Sequence, residues 1–371
     1  MDIDNCQFLN GISNLGGALY ISGDSIIRIS RSSFINNQAN SKGGAIYTSG
    51  FQSIYIGEGT QFIDNSAVEI GEDFYITNSK NILTLNNNCT AQIGGAIYSE
   101  NAQSVKIINS TFSQNKALIG QNSLHKIANQ GAGGAIYYTC NSQELNCKMK
   151  FEGFNIFKDN LAEVKGGALF WDQLEPEFSR NDMFFSNNIA QLYGNDIACY
   201  SQNLQTISLQ EYQNQLIEIG LYSNQDFQSR ILEFQNKVIS HRFLEEINFH
   251  RSGDKIPIMF LALIDKYGQI VGSDFQSKIR IIIETTNLDE QQSLYYPILE
   301  GIITYDMIGG VSVIQNIQIS VKNNQAVVKS VQLKKQYVME DLKLGLYQDF
   351  GEVAINLQIS CYVYLNTPAW E

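Results

Sequence analysis

The stretch FINNQANSKGGAIY, Phe34 to Tyr47, sets an aromatic residue three positions before an asparagine and nine before a double glycine. A site motif would occur once, but this one recurs. Double glycines open GGALY at Gly16, GGAIY at Gly43, Gly94 and Gly133, and GGALF at Gly166. Two degenerate corners, GEDFY at Gly71 and GNDIA at Gly194, keep the same register. Ahead of them stand FINN at Phe34, FIDN at Phe62, LNNN at Leu85, FKDN at Phe157 and FSNN at Phe185. In these five the first residue precedes its glycine by nine positions and the asparagine by six. FSQN at Phe112 stands 21 before Gly133, because IGQNSLHKIANQGA is inserted, and FLNG at Phe8 is one shorter, with Gly11 in place of the asparagine. The repeat positions are therefore Phe34, Asn37, Gly43 and Gly44; Phe62 and Asn65; Leu85, Asn88, Gly94 and Gly95; Phe112, Asn115, Gly133 and Gly134; Phe157, Asn160, Gly166 and Gly167; and Phe185 with Asn188.

Glycine-to-glycine steps run 27, 28, 23, 39, 33 and 28. An apolar couplet precedes several of the aromatics: Ile27/Ile29, Ile54/Ile56, Val105/Ile107, Met149/Phe151. Each unit thus reads as three short strands rich in Ile, Phe and Tyr, separated by polar turns. A unit of this size is one coil of a parallel β-helix, which buries its apolar face only by stacking on its neighbours at the strand spacing of about 4.8 Å. The aromatic is expected to point into the bore and stack on its counterpart one coil away. The asparagine is expected at a turn, bonding turn backbone and the asparagines above and below. The glycines pass a tight, positive-φ corner. Residues 38–42 are read as a polar turn.

The fold class expected is all-β: a right-handed parallel β-helix of about seven coils over 1–203, a connector over 204–250 with one or two strands and a short helix near 227–237, and an antiparallel, Ig-like β-sandwich over 251–371. The sandwich rests on short strand patterns such as IPIMFLALI, KIRIIIET and GVSVIQNIQISVK, with a turn at Asp265–Gly268.

The FxxN and GGAI pairing resembles the repeat of chlamydial polymorphic membrane proteins, whose passenger regions are right-handed parallel β-helices. The same pairing occurs in large ciliate surface proteins, which the Asn/Gln/Ile/Tyr-rich composition also resembles. The resemblance covers residues 6–201 and implies a surface-exposed, adhesive or structural role rather than a catalytic one. The C-terminal half does not resemble an autotransporter barrel, and the chain opens inside a coil. Both lead to the expectation of a segment of a longer cell-surface protein, its signal peptide and anchor lying outside the 371 residues.

Composition narrows the function. A net charge of −12, spread evenly along the chain, disfavours nucleic acid and anionic membranes. The longest apolar run, IPIMFLALI, is too short to span a bilayer. Six cysteines show no CxxC pair or Cys/His cluster, so no zinc site is expected. Cys140 and Cys147 bracket CNSQELNC and are expected to form a small disulfide loop, with two free thiols as the alternative.

Parallel β-helices can also carry polysaccharide lyases and hydrolases, which need converging carboxylates on the outer face. Asp64 and Asp159 share one repeat position, but Asn87 and Gln114 interrupt the column, so solvated turns are expected. Asp172, Glu175, Glu177 and Asp182 form a loose acidic loop, read as exposed charge. His125, His241 and His250 lie far apart. No catalytic residue, metal or cofactor is expected. Two sequons occur, at Asn88 and Asn109, and strand alternation makes Asn109 the better glycan acceptor. Binding of a cell-surface protein, a glycan or a second copy is expected at the longest loops, residues 119–132 and 139–148.

Overall fold

The computed structural model describes residues 1–23, 26–49, 53–56, 60–71, 73–77, 80–83, 86–91, 95–102, 104–108, 110–118, 131–140, 147–172, 174–179, 181–223, 246–247, 258–285, 297–321, 331–338 and 355–359. The chain divides into two compact units, one of Met1–Tyr200 with Asp265–Gln269, the other of Ser201–Ile264 with Ile270–Glu371.

The first unit is a parallel β-helix of three sheets. The first sheet stacks Asp2–Asp4, Ile26–Ser30, Ser53–Ile56, Lys80–Leu83, Ser104–Ile108 and Met149–Glu152. The second carries the FxxN segments, from Gln7–Leu9 through Ser33–Ile35, Gln61–Ala67, Asn86–Ala91, Thr111–Ser113 and Asn155–Lys158 to Met183–Ser186. The third stacks Leu19–Ser22, Ile46–Ser49, Phe74–Thr77, Ile97–Glu100, Ile136–Thr139, Leu169–Asp172 and Ile197–Cys199. Pairing between successive coils is parallel and in register, as in Phe34 against Phe8 and Phe62. Seven coils stand among the described residues.

Alternation sets the core. Along the strands alternate side chains enter the bore: Ile27 and Ile29 from the first sheet, Phe34, Phe62, Phe112 and Phe157 from the second, Ile46, Ile97, Ile136 and Leu169 from the third, all buried. The phenylalanines stack face to face along the axis, with centroids 4.6 Å apart for Phe8–Phe34, 4.7 Å for Phe34–Phe62, 4.9 Å for Phe112–Phe157 and 5.2 Å for Phe157–Phe185.

Between the phenylalanine and the buried asparagine the chain turns through one left-handed residue: Asn36 (φ 54°), Asp64 (50°), Gln114 (58°), Asp159 (54°) and Asn187 (53°). Asn and Asp tolerate this region because a short polar side chain bonds locally. Residues 38–42, read from sequence as a turn, are instead the strand Gln38–Lys42, with Ala39 fully buried and paired with Ala67. The single left-handed residue turns the chain fully, so strand resumes at once.

The two corner glycines do different jobs. The first takes positive φ, 62° at Gly16, 66° at Gly43 and 64° at Gly166. The second is bound by space, since a Cβ on Gly134 would lie 1.9 Å from the carbonyl oxygen of Gly167, one coil on.

The fourth coil departs from the register read from sequence. Its strand Asn86–Ala91 sets Asn87 opposite both Phe62 and Phe112, and Asn88 opposite Ile63. Leu85, outside the described residues, is thus not the counterpart of the phenylalanines, nor is Asn88 the counterpart of Asn65. This coil has one residue fewer than its neighbour between the phenylalanine position and the paired alanine, and one fewer before the glycine, so a fixed spacing of nine miscounts it.

The second unit is largely antiparallel. Asn203–Ile207, Met259–Ile264 and Val311–Ile314 form one sheet. Lys278–Thr285 lies between Val331–Val338 and Thr304–Asp306 in a second, and Pro297–Gly301 pairs with Ile317–Val321. The start of the expected connector belongs to this unit, as the strand Asn203–Ile207 and the helix Leu209–Glu218. Ser208 and Glu211 cap that helix reciprocally, and Leu216 packs with Ala262, Ile264 and Val311. The helix expected near 227–237 lies outside the described residues.

Candidate functional site

Three surfaces of the β-helix were candidates for chemistry. The acidic one disperses. Asp64 is exposed and Asp159 accepts from Asn187 Nδ2 at 3.2 Å, three coils away, a separation of roughly 14 Å at the strand spacing. In the acidic loop, Asp172 is buried and accepts from Thr139 Oγ1 at 3.2 Å. Glu175 takes Lys266 and the Tyr267 hydroxyl, Glu177 pairs with Lys148 at 2.9 Å, and Asp182 accepts from the Ser179 amide at 2.9 Å. Each of these four loop carboxylates thus has its own partner. Among the described residues no group of three or more His, Cys, Asp or Glu side chains is placed to hold a metal ion.

The second surface is the outer face of the third sheet. The fifth residue of the first six corner motifs forms a ladder: Tyr20–Tyr47 and Tyr47–Tyr75 at 5.1 Å, Tyr75–Tyr98 at 5.3 Å, Tyr98–Tyr137 at 5.0 Å, then Phe170 at 5.3 Å from Tyr137. The signal was present in the sequence, since Tyr or Phe ends six of the seven corner motifs. Parallel stacking follows from in-register pairing of identical residues. Lys42 Nζ lies 4.6 Å from the Tyr75 ring centre, and Lys165 Nζ lies 4.4 Å from those of Phe170 and Tyr200. The Tyr75 hydroxyl donates to Glu100 Oε2 at 2.9 Å, and burial first, then the Glu100 charge, holds that hydroxyl far above the usual tyrosine range.

Exposure is greatest at the first ring, 57% at Tyr20, while Tyr75 and Tyr137 are buried and Tyr47 and Tyr98 are half-buried. The rings from Tyr47 to Tyr98 cover one another's faces, so the ladder shows hydroxyl edges rather than the open ring faces on which a sugar would stack. Glu100 and Asp172 share this outer face two coils apart, roughly 10 Å. Both are held by hydroxyl donors of the same face, and Asp172 is closed to solvent.

The third surface comprises the loops. Cys140 and Cys147 are joined by a disulfide. The loop residues 119–130 and 141–146, Asn109, Gly94, the side chain of Asn88, and His125, His241 and His250 lie outside what the structure describes. The apolar pair Phe154 and Phe184, 6.2 Å apart, is exposed beside the last coils.

What recurs from coil to coil is therefore packing: stacked phenylalanines, left-handed corners, close-packed glycines and outer tyrosines. Residues 31–49, 82–100 and 109–139 match the Chlamydia polymorphic membrane protein repeat. The β-helix carries polymorphic membrane protein-type repeats. Each matched stretch ends with a strand of the third sheet, at Ser49, Glu100 and Thr139. The polymorphic membrane protein-type repeats thus lie on structural coils of the first unit. No curated protein matches the chain.

Proposed function

We propose that the chain is a non-catalytic, extracellular structural or adhesive segment of a cell-surface protein. The observation that carries this reading is that the matched repeat spends its recurrent positions on packing, while each outer carboxylate of the acidic loop is matched by a donor of its own. The Cys140–Cys147 disulfide fits an oxidising compartment. The charge of −12 fits neither nucleic acid nor an anionic membrane as partner. A rigid solenoid presents whatever its loops carry, so a surface protein, a glycan or a second copy would be met at residues 119–132 and 139–148. Any membrane anchor would be supplied by other segments.

The test is adhesion of the immobilised chain to cells and to a glycan array, with and without residues 119–132. Saturable binding that falls on deletion supports an adhesive role. Binding that is absent in both forms supports the second reading, a passive stalk, which the continuous seven-coil stack favours. Depolymerisation of any member of a polysaccharide panel would overturn both in favour of a polysaccharide lyase or hydrolase.

A further inference from the structure

The buried asparagines do not form one continuous ladder. Asn37 Nδ2 donates to Asn65 Oδ1 at 2.9 Å, and the Asn37 backbone amide reaches the same oxygen at 3.1 Å. The second run joins Asn115 Nδ2 to Asn160 Oδ1 at 2.8 Å and Asn160 Nδ2 to Asn188 Oδ1 at 2.9 Å. Each run has the same grammar. In Asn37, Asn65, Asn160 and Asn188 the Oδ1 accepts from the coil before and the Nδ2 donates back to a carbonyl of the coil before, and Asn37, Asn115 and Asn160 donate forward to the next Oδ1. Asn65 Nδ2 and Asn188 Nδ2 keep the backward bond, to Phe34 O and Phe157 O, each at 3.0 Å.

Their forward bonds go elsewhere. Asn65 Nδ2 donates to Asp73 Oδ1 at 2.9 Å, and Asn188 Nδ2 donates to Asp196 Oδ1 at 3.0 Å. Asp73 and Asp196 are the third residues of GEDFY and GNDIA, the two degenerate corners, where the other corners carry Ala. The two aspartates thus occur at the two points where a run ends. After Asn65 the fourth coil offers no asparagine in register, since Thr90 pairs with Ser66 and the position before it is Cys89. After Asn188 the chain leaves the helix at Tyr200. Asn65 is 2% exposed, and a buried amide hydrogen without an acceptor costs the full desolvation of that group.

We propose that Asp73 and Asp196 are ladder terminators, which divide the β-helix into two separately cooperative blocks, one ending with the third coil and one with the seventh. The degenerate corners are then a second kind of corner rather than decayed copies. GxD closes a run, GGA continues it, and the fourth coil is the joint at which one block opens without the other.

Hydrogen exchange on the full chain, read by mass spectrometry at peptide resolution, tests this. The reporters are the Gly11 and Asn37 amides in the first block, which donate to Asn37 Oδ1 and Asn65 Oδ1, and the Asn115 and Asn160 amides in the second. Asp73→Ala is expected to speed exchange in the first block by roughly tenfold, the equivalent of one unmet buried amide hydrogen, and to leave the second unchanged. Asp196→Leu should do the reverse, more weakly because Asp196 is exposed, and Asp196→Asn, which keeps an acceptor oxygen, should match the parent. Adding Cys89→Asn to Asp73→Ala should restore slow exchange by supplying the next rung. Acceleration spread equally over both blocks in either variant, or Asp196→Asn behaving like Asp196→Leu, would overturn the proposal. Should Asp73→Ala not fold, the Asp196 pair alone decides it.

Discussion

Phe34→Ala is the sharpest test of the bore. Phe34 is fully buried and stacked on both faces, 4.6 Å from Phe8 and 4.7 Å from Phe62, with each pair within 6° of parallel. Truncation removes a whole ring from a closed column whose neighbours are pinned by strand pairing, so the site cannot collapse. The expected loss is about 4 kcal/mol, within the range of about 3–5 kcal/mol for buried Phe→Ala. Two aromatic pairs, each about 0.5–1.5 kcal/mol, account for part of it. Phe185 is the internal control. It stands in the last coil, is only half-buried and stacks on one ring, Phe157, at 5.2 Å. Phe185→Ala should therefore cost about half as much, with one stacking pair lost instead of two and less area returned to water. Urea unfolding followed by far-ultraviolet circular dichroism reads both midpoints. A Phe34→Ala loss below about 1 kcal/mol, or a Phe185→Ala loss as large as that of Phe34→Ala, would refute the stacked-column account.

Further outcomes follow from single positions. Gly134→Ala places a methyl group 1.9 Å from Gly167 O and should abolish soluble expression or lower the unfolding temperature sharply, whereas Gly23→Ala, with nothing within 4 Å, should cost about 1 kcal/mol for its positive φ alone. Burial pushes the Cys199 thiol up to about 12, so a maleimide at pH 8 should label exposed Cys6 in the native chain and reach Cys199 only after unfolding. Equal labelling of the two in native protein would contradict that packing. Reductant should raise the mass of the peptide spanning Cys140 and Cys147 by the two hydrogens of one opened disulfide, and an unchanged mass would exclude the bridge.

Much of the coil was legible because its constraints are local and repeat. A phenylalanine at a fixed distance before a double glycine reports one bore position, and the bore tolerates little else at Phe34, Phe62, Phe112 and Phe157. A fixed spacing misplaces the fourth coil because it counts residues, while register is set by which backbone groups pair. Shortening that coil by two residues moved Asn87 to the phenylalanine position without changing the motif's appearance. The column of outer tyrosines is not legible in the sequence for another reason. A tyrosine ending a strand has ordinary strand propensity, and only stacking in three dimensions makes a column of it.

The corner motifs show best where sequence stops and structure begins. By itself the sequence determined that the chain would coil, where the coils would turn and which rings would fill the bore, because each is a demand made within one unit of chain. Only the tertiary structure decided what Asp73 and Asp196 do. Asp73 accepts from an asparagine eight residues away whose other partners come from the preceding coil, and Asp196 does the same for Asn188. A hydrogen bond between coils depends on what the neighbouring coil supplies, and in one coil's sequence an aspartate that ends a ladder looks the same as a worn glycine.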